Sequence, residues 1–196
     1  EGEKKVFGQA DSLALCNGTL NSVKGSAARA IGHLLWGKKE LLSTFKEIIK
    51  TLSLDENPTI QMASMYTLWP AYNIDETWAS EILMTLYEKD IRMAAFYDSK
   101  DMFFLLYPKF KKRILNIVQK CFDSDDKRLI EVGGHSICEF YLLEGEFSNI
   151  FSSFEKYSQL QLQSILEMAV IYISKDKDRE NAKEIILKCR NSSHDI

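Results

Sequence analysis

His135 and Cys138 stand three residues apart in IEVGGHSICEF. On one helix that spacing lets both face a common metal, or lets a thiol pair with a base. Zinc takes four ligands, or three and a water, and the remaining histidines are His33 and His194. Nothing in the sequence brings them to this helix, so the plainer reading is a solvent-facing His beside a core Cys. The other thiols, Cys16, Cys121 and Cys189, are scattered with no CxxC spacing, as expected of buried free cysteines in a reducing cytoplasm. No strand–turn–helix elbow surrounds any Ser or Cys, so nothing would hold a nucleophile strained and exposed. No catalytic, cofactor-binding or metal-ligating residue is assigned, and the chain reads as a non-enzyme.

A second pattern could do other work. Lys109, Lys111, Lys112 and Arg113 follow Phe103, Phe104 and Tyr107. Cations beside stacking surfaces can hold single-stranded nucleic acid. Against this, the phenylalanines fall at core spacing with Leu105 and Leu106, which reads as aromatics packed inward under a solvated helix start. Net charge is -3 over 196 residues. Residues 1–98 carry 10 basic and 13 acidic groups, and residues 99–196 carry 15 of each. Neither half suits phosphate binding along its length.

The elements that must position these groups are helices. Hydrophobic residues are 45 % and charged residues 27 %, which excludes a disordered chain. Glycine (9) and proline (3) are too scarce for an all-β protein rich in tight turns. Leu41, Leu42, Phe45, Ile48, Ile49 and Leu52 mark one helix face, and Phe110, Ile114, Ile117, Val118, Cys121 and Phe122 repeat the pattern. No comparable stretch alternates with period two. Asn57-Pro58 reads as an N-cap with Pro at N1, and Pro108 opens another helix in the same way. Ser158 with Gln161 is a capping box. Asp123 to Asp126 place acidic residues at a helix start, and Pro70 must kink or end its helix. The resulting map has helices near 22–36, 39–52, 58–72, 76–88, 91–97, 100–107, 109–122, 126–143, 145–156, 159–173 and 178–190. No apolar run reaches the roughly 18 residues that span a bilayer, so no membrane partner is expected.

Four segments share a layout: those starting at Val23, Ile60, Ile130 and Leu162 carry small residues first and large apolar ones later. The starts are 37, 70 and 32 residues apart, with a degenerate copy from Ile91 inside the long gap. A period near 35 residues with two helices per unit predicts an all-α, HEAT-like α-solenoid of about five antiparallel helix pairs. The competing fold is an irregular all-α globule. The expected organisation is a lead-in at 1–20, continuing from an upstream region, and a helical-repeat domain at 21–196. The N-terminal edge, Val6 to Leu20, is expected to be apolar and to need cover.

The segment SVKGSAARAIGHLLW, from Ser22 to Trp36, is similar to the first helix of a HEAT repeat. Its lead-in, Leu20 to Gly25, resembles the start of helical-repeat regions in large bacterial signal-transduction (STAND-type) NTPases. The block from Cys121 to Phe147 resembles a later repeat of those regions. The resemblance implies an array that recognises a partner, often a foreign protein in antiviral defence, with the nucleotide site in a separate domain. This sequence has no GxxxxGK[ST], and Gly133-Gly134 sit inside an apolar helix where no phosphate cradle forms. No functional residue is therefore carried over.

In arrays of helix pairs the second helices line the binding face. The candidate row is Lys46, Lys50, Trp78, Glu81, Lys112, Arg113, Ser152 and Lys183, with Trp78 as anchor, because Trp is over-used at interfaces. Trp36 and Trp69 end first-type helices and are expected to pack between repeats. The expected occupant is another protein. A HEAT-like nucleic-acid binder of the glycosylase type is the alternative, and it would need a row dominated by Lys and Arg.

Overall fold

The structure, a computed structural model, describes residues 11–175 and 177–190. These fall in two compact units, one ending at Met102 and the other starting at Phe103. Among the described residues there is no strand, so the all-α expectation stands.

The first unit contains α1 (Ser12–Gly18), α2 (Val23–Gly37), α3 (Leu42–Ser53), α4 (Pro58–Tyr72) and α5 (Glu76–Lys89), with 3-10 turns at Lys39–Leu41 and Ile91–Ala95. Caps set the starts. The Asn57 side chain accepts from the Thr59 amide at 2.9 Å with Pro58 in the first turn, so the Asn-Pro pair works as read. Ser22 accepts from the Gly25 amide at 3.0 Å and Asp75 from the Trp78 amide at 3.1 Å. The central element is α4. It is buried almost all round, from Thr59 to Met65 and at Thr67, Leu68, Pro70 and Ala71. It packs against α1, α2, α3 and α5, and α3 also meets α5. Ser53 Oγ donates to Ser64 Oγ at 3.1 Å, and the Ser64 and Thr67 hydroxyls close back on their own helix, while the buried Thr59 hydroxyl has no hydrogen-bond partner among the described residues.

Close backbone approach holds α2 to α4. A Cβ on Gly32 would lie 2.2 Å from the Tyr66 carbonyl oxygen, so only glycine fits there. Pro70, four residues after Tyr66, has no amide hydrogen to give that carbonyl. The helix nonetheless runs two residues past Pro70 before ending at Tyr72.

The second unit holds the rest of α6 (Ser99–Phe122), then α7 (Lys127–Glu144), 3-10 turns at Ile150–Ser152 and Phe154–Lys156, α8 (Gln159–Ile173) and α9 (Arg179–Arg190). The acidic run works as a cap: Asp126 accepts from the Arg128 and Leu129 amides at 2.9 and 3.3 Å. Ser158 and Gln161 form the capping box, and Gln161 also donates its side-chain amide to the Phe122 carbonyl at 2.7 Å, satisfying the end of α6. Helix α7 packs on α8, and α8 on α9. The Gly133-Gly134 pair makes a close fit on both sides. A Cβ on Gly133 would lie 2.4 Å from the Phe122 nitrogen, and one on Gly134 would lie 1.8 Å from Ser164 Oγ.

Several elements differ from expectation. Residues 91–97 form a 3-10 turn (Ile91–Ala95) instead of an α-helix. Residues 99–122 are one span broken at Phe110 (φ −125°, ψ 31°), so Pro108 does not open a helix; the departure comes two residues later. The helix expected at 145–156 is absent. Gly145 ends α7 in the left-handed region (φ 72°), with its amide and the next returning to Tyr141 and Phe140, and Phe147 follows at φ 58°. Two positive-φ residues in three cannot propagate a helix. Helix α1 falls in the stretch read as a lead-in. Of the apolar edge expected there, Leu13 is half exposed, while Val6 to Ala10 lie outside the described residues.

These contacts make a sharp contrast between glycines. Gly32→Ala should lower the unfolding free energy by about 2 kcal/mol through overpacking. Gly37→Ala, where a Cβ meets nothing within 4 Å, should leave it within about 0.5 kcal/mol. Urea midpoints followed by circular dichroism check both. Equal midpoints would show that the α2–α4 approach is not tight.

Candidate functional site

The eight residues of the candidate row divide equally between the two units. Four from the first unit gather on α3 and α5. The Lys46 ammonium sits 5.2 Å from the Trp78 ring centroid and pairs with Asp75 at 2.6 Å. Asp75 is itself the N-cap of α5. The Lys46 ammonium, and then the Trp78 amide, hold its carboxyl below the ordinary range. One side chain thus fixes the helix start, the lysine and the indole together. Trp78 lines a groove of about 620 Å³ together with Lys50 and Glu81. Its apolar lining comes from Leu54, which is 56 % exposed, and from half-buried Ile82. Lys50 forms no ion pair among the described residues.

The four from the second unit are not gathered in this way. Lys112 is exposed on α6. The Arg113 guanidinium lies 5.0 Å from the Phe110 ring, and the Lys109 ammonium lies 4.9 Å from the same ring. The Ser152 hydroxyl closes on the Ser148 carbonyl at 3.2 Å, and Lys183 pairs with Glu180 at 2.7 Å along α9. None of them lines the grooves described here.

The basic–aromatic stretch resolves toward packing. Phe103 and Tyr107 are buried, and Phe104 stacks on Phe140 at 4.1 Å. Lys111 pairs with Glu146, which also accepts from the Tyr107 hydroxyl at 2.7 Å. The rings are thus not offered to a nucleic acid, and one of the cations is spoken for.

His135 Nε2 meets Glu167 Oε2 on α8 at 3.0 Å, while Cys138 is buried. Among the described residues no three or more of His, Cys, Asp and Glu come together as a metal site. Burial pushes the thiols up: Cys121 to about 12 and Cys189 to about 11, with Cys138 raised further.

A second cleft escaped the sequence reading. It measures about 490 Å³ and is lined by Trp36, Tyr66, Trp69 and Tyr97, with Arg29, His33 and Asp98 as its ionisable groups. Trp36 does not pack between helices as expected; it is 56 % exposed on the cleft wall. Tyr66 and Tyr97 contact one another, with centroids 5.8 Å apart. The signal was present: Arg29, His33 and Trp36 are spaced i, i+4, i+7 on one helix, and Trp69 repeats Trp36 after 33 residues.

Comparison with protein-family models, curated proteins and solved structures returns no match. Among the described residues, no helix is long and apolar enough to cross a membrane.

Two measurements test these environments. At pH 8 the native thiols of Cys121, Cys138 and Cys189 should react with iodoacetamide at least about a hundredfold more slowly than in urea; peptide mass spectrometry reads the sites, and fast native labelling of Cys138 would contradict its burial. Glu146 is held below the ordinary carboxylate range first by Lys111 and then by Tyr107. Its stabilisation is therefore full above about pH 4.3 and is lost as pH falls through the depressed value. Glu146→Gln should flatten the acid limb of stability below the ordinary glutamate range; an unchanged limb would remove this carboxylate from the account.

Proposed function

We propose that this chain is a non-catalytic, HEAT-like helical-repeat scaffold that binds another protein through the second helices of its pairs. The observation that carries the reading is the α3–α5 groove. It joins a half-buried tryptophan, exposed Leu54 and half-buried Ile82 in one concavity with a lysine and a glutamate. An aromatic anchor in an apolar patch with charged groups alongside is how protein interfaces concentrate their binding energy. Trp78 needs little ordering on binding, because Lys46 and Asp75 already hold it. The groove's shape suits an amphipathic helix laid along it, its apolar face on Trp78 and Ile82 and an acidic residue toward Lys50. The repeat period near 35 and the pairing of α2 with α4 and of α3 with α5 support stacked helix pairs.

The resemblance to the arrays of bacterial STAND-type NTPases gives this scaffold a context: the sensor of a larger antiviral defence protein, reporting partner binding to a nucleotide domain elsewhere. The glycosylase-like alternative requires a cationic row. Of the row's lysines, Lys46 and Lys183 each face a carboxylate within 4 Å, which weakens it.

Selection of helical peptides from a random phage library on the immobilised chain tests the reading. Enriched peptides should be amphipathic with an acidic residue. Their affinity should fall about tenfold or more with Trp78→Ala and stay unchanged with the Lys112→Glu, Arg113→Glu pair. No enrichment, or binding indifferent to Trp78, would overturn it.

A further inference from the structure

The aromatic cleft of the first unit is built for something other than a helix. Helix α2 contributes Arg29, His33 and Trp36 along one stripe, α4 contributes Tyr66 and Trp69, and the segment before α6 contributes Tyr97 and Asp98. The glycine that lets α2 lie on α4, Gly32, is part of the lining, so the close approach that holds the two helices also shapes this wall.

The groups are complementary to one kind of small molecule. Trp36 and Tyr97 are more than half exposed and offer ring surface to a planar group, with half-buried Trp69 beside them. Tyr66 and Tyr97 are braced from behind by Phe96 at 5.0 and 4.4 Å. Arg29 is exposed and presents a guanidinium suited to phosphate, with the His33 imidazole one turn along the same helix. The Asp98 carboxylate is half-buried and makes no side-chain hydrogen bond or ion pair among the described residues. It can accept from an amino group on a ring edge. Burial and the Asp101 carboxylate raise its pKa, so a donor arriving there relieves an unfavourable charge. A cation alone would use the rings and Asp98 but would meet the Arg29 charge. A simple anion would use Arg29 but leave the rings idle. The volume, about 490 Å³, lies within the range of small-ligand sites and exceeds what one amino-acid side chain fills.

We infer that this cleft binds a nucleoside monophosphate, free or at the end of a strand, with the base among Trp36, Trp69 and Tyr97, the phosphate on Arg29 and His33, and an amino group of the base on Asp98. This goes beyond the protein-binding reading and lies on different helices from the Trp78 groove, so either can fail alone.

The test uses the full chain carrying Trp78→Phe, which leaves only the two tryptophans of the cleft to report. Titration with AMP should quench their fluorescence saturably. Trp36→Ala, at a position 56 % exposed, should weaken binding about tenfold, measured by calorimetry. Arg29→Gln should weaken AMP about tenfold or more while leaving adenosine unchanged, a split that a merely structural role would not produce. Asp98→Ala should weaken AMP and adenosine alike. An octadeoxyadenylate arm separates the sources: affinity at least tenfold above AMP assigns the strand end, and equal or lower affinity assigns the free nucleotide. Absence of saturable quenching by either, insensitivity to Arg29→Gln, or preferential binding of N-acetylarginine amide over AMP would overturn the inference.

Discussion

Helix backbones in this protein touch where side chains would ordinarily keep them apart, and most of the remaining structure follows from that contact. Gly32 lies against the carbonyl of Tyr66. Pro70 removes the amide that would otherwise claim this oxygen from within its own helix. Sequence-distant glycine and proline therefore serve one junction. In the second unit Gly133 faces the end of α6 and Gly134 faces Ser164 of α8. Gln161 completes that junction by taking the Phe122 carbonyl. Interiors are packed densely enough that an added methyl at such points has nowhere to go.

Close approach along first-type helices has a consequence for the rest of the surface. Helix α4 is buried along most of its length, and what it leaves to the surface is aromatic, Tyr66 and Trp69 on the wall of the cleft. Helices α3 and α5 keep a freer side, which is where the proposed protein groove lies. There Asp75 serves as helix cap and as counter-ion to Lys46, which lies beside Trp78. The indole is thus positioned through the same carboxylate that starts its helix, which lowers the ordering cost of any contact it makes. The second unit shows the complementary economy. Its cations are set against rings and carboxylates, as at Phe110 and Glu146, and its thiols are sealed in the core.

The helical architecture was legible wherever apolar periodicity and capping chemistry agreed. Pro58 to Tyr72 and Gln159 to Ile173 match the bounds read from sequence, because Asn57-Pro58 and Ser158–Gln161 announce their starts locally. Reading failed where tertiary contacts outweighed local pattern. The stretch after Gly145 looks helical, but left-handed Gly145 and Phe147 break it, and Glu146 is drawn to Lys111 and Tyr107. Lys50, Trp78 and Glu81 line one groove and Lys46 lies beside Trp78. Lys112, Arg113, Ser152 and Lys183 do not, because an exposed position on a helix says nothing of what stands opposite. The aromatic cleft was the hardest feature to read. It needs three segments far apart in sequence, and Trp36 and Trp69 pass for core residues until their exposure is seen.

The central claim is that the second helices grip while the first helices hold the molecule together. Hydrogen–deuterium exchange with and without a selected helical peptide addresses it directly. The account requires new protection concentrated in residues 46–54 and 75–86, with residues 23–37 and 58–72 already protected and unchanged. Protection gained in 23–37 or 58–72, with 46–54 and 75–86 unaffected, would contradict it.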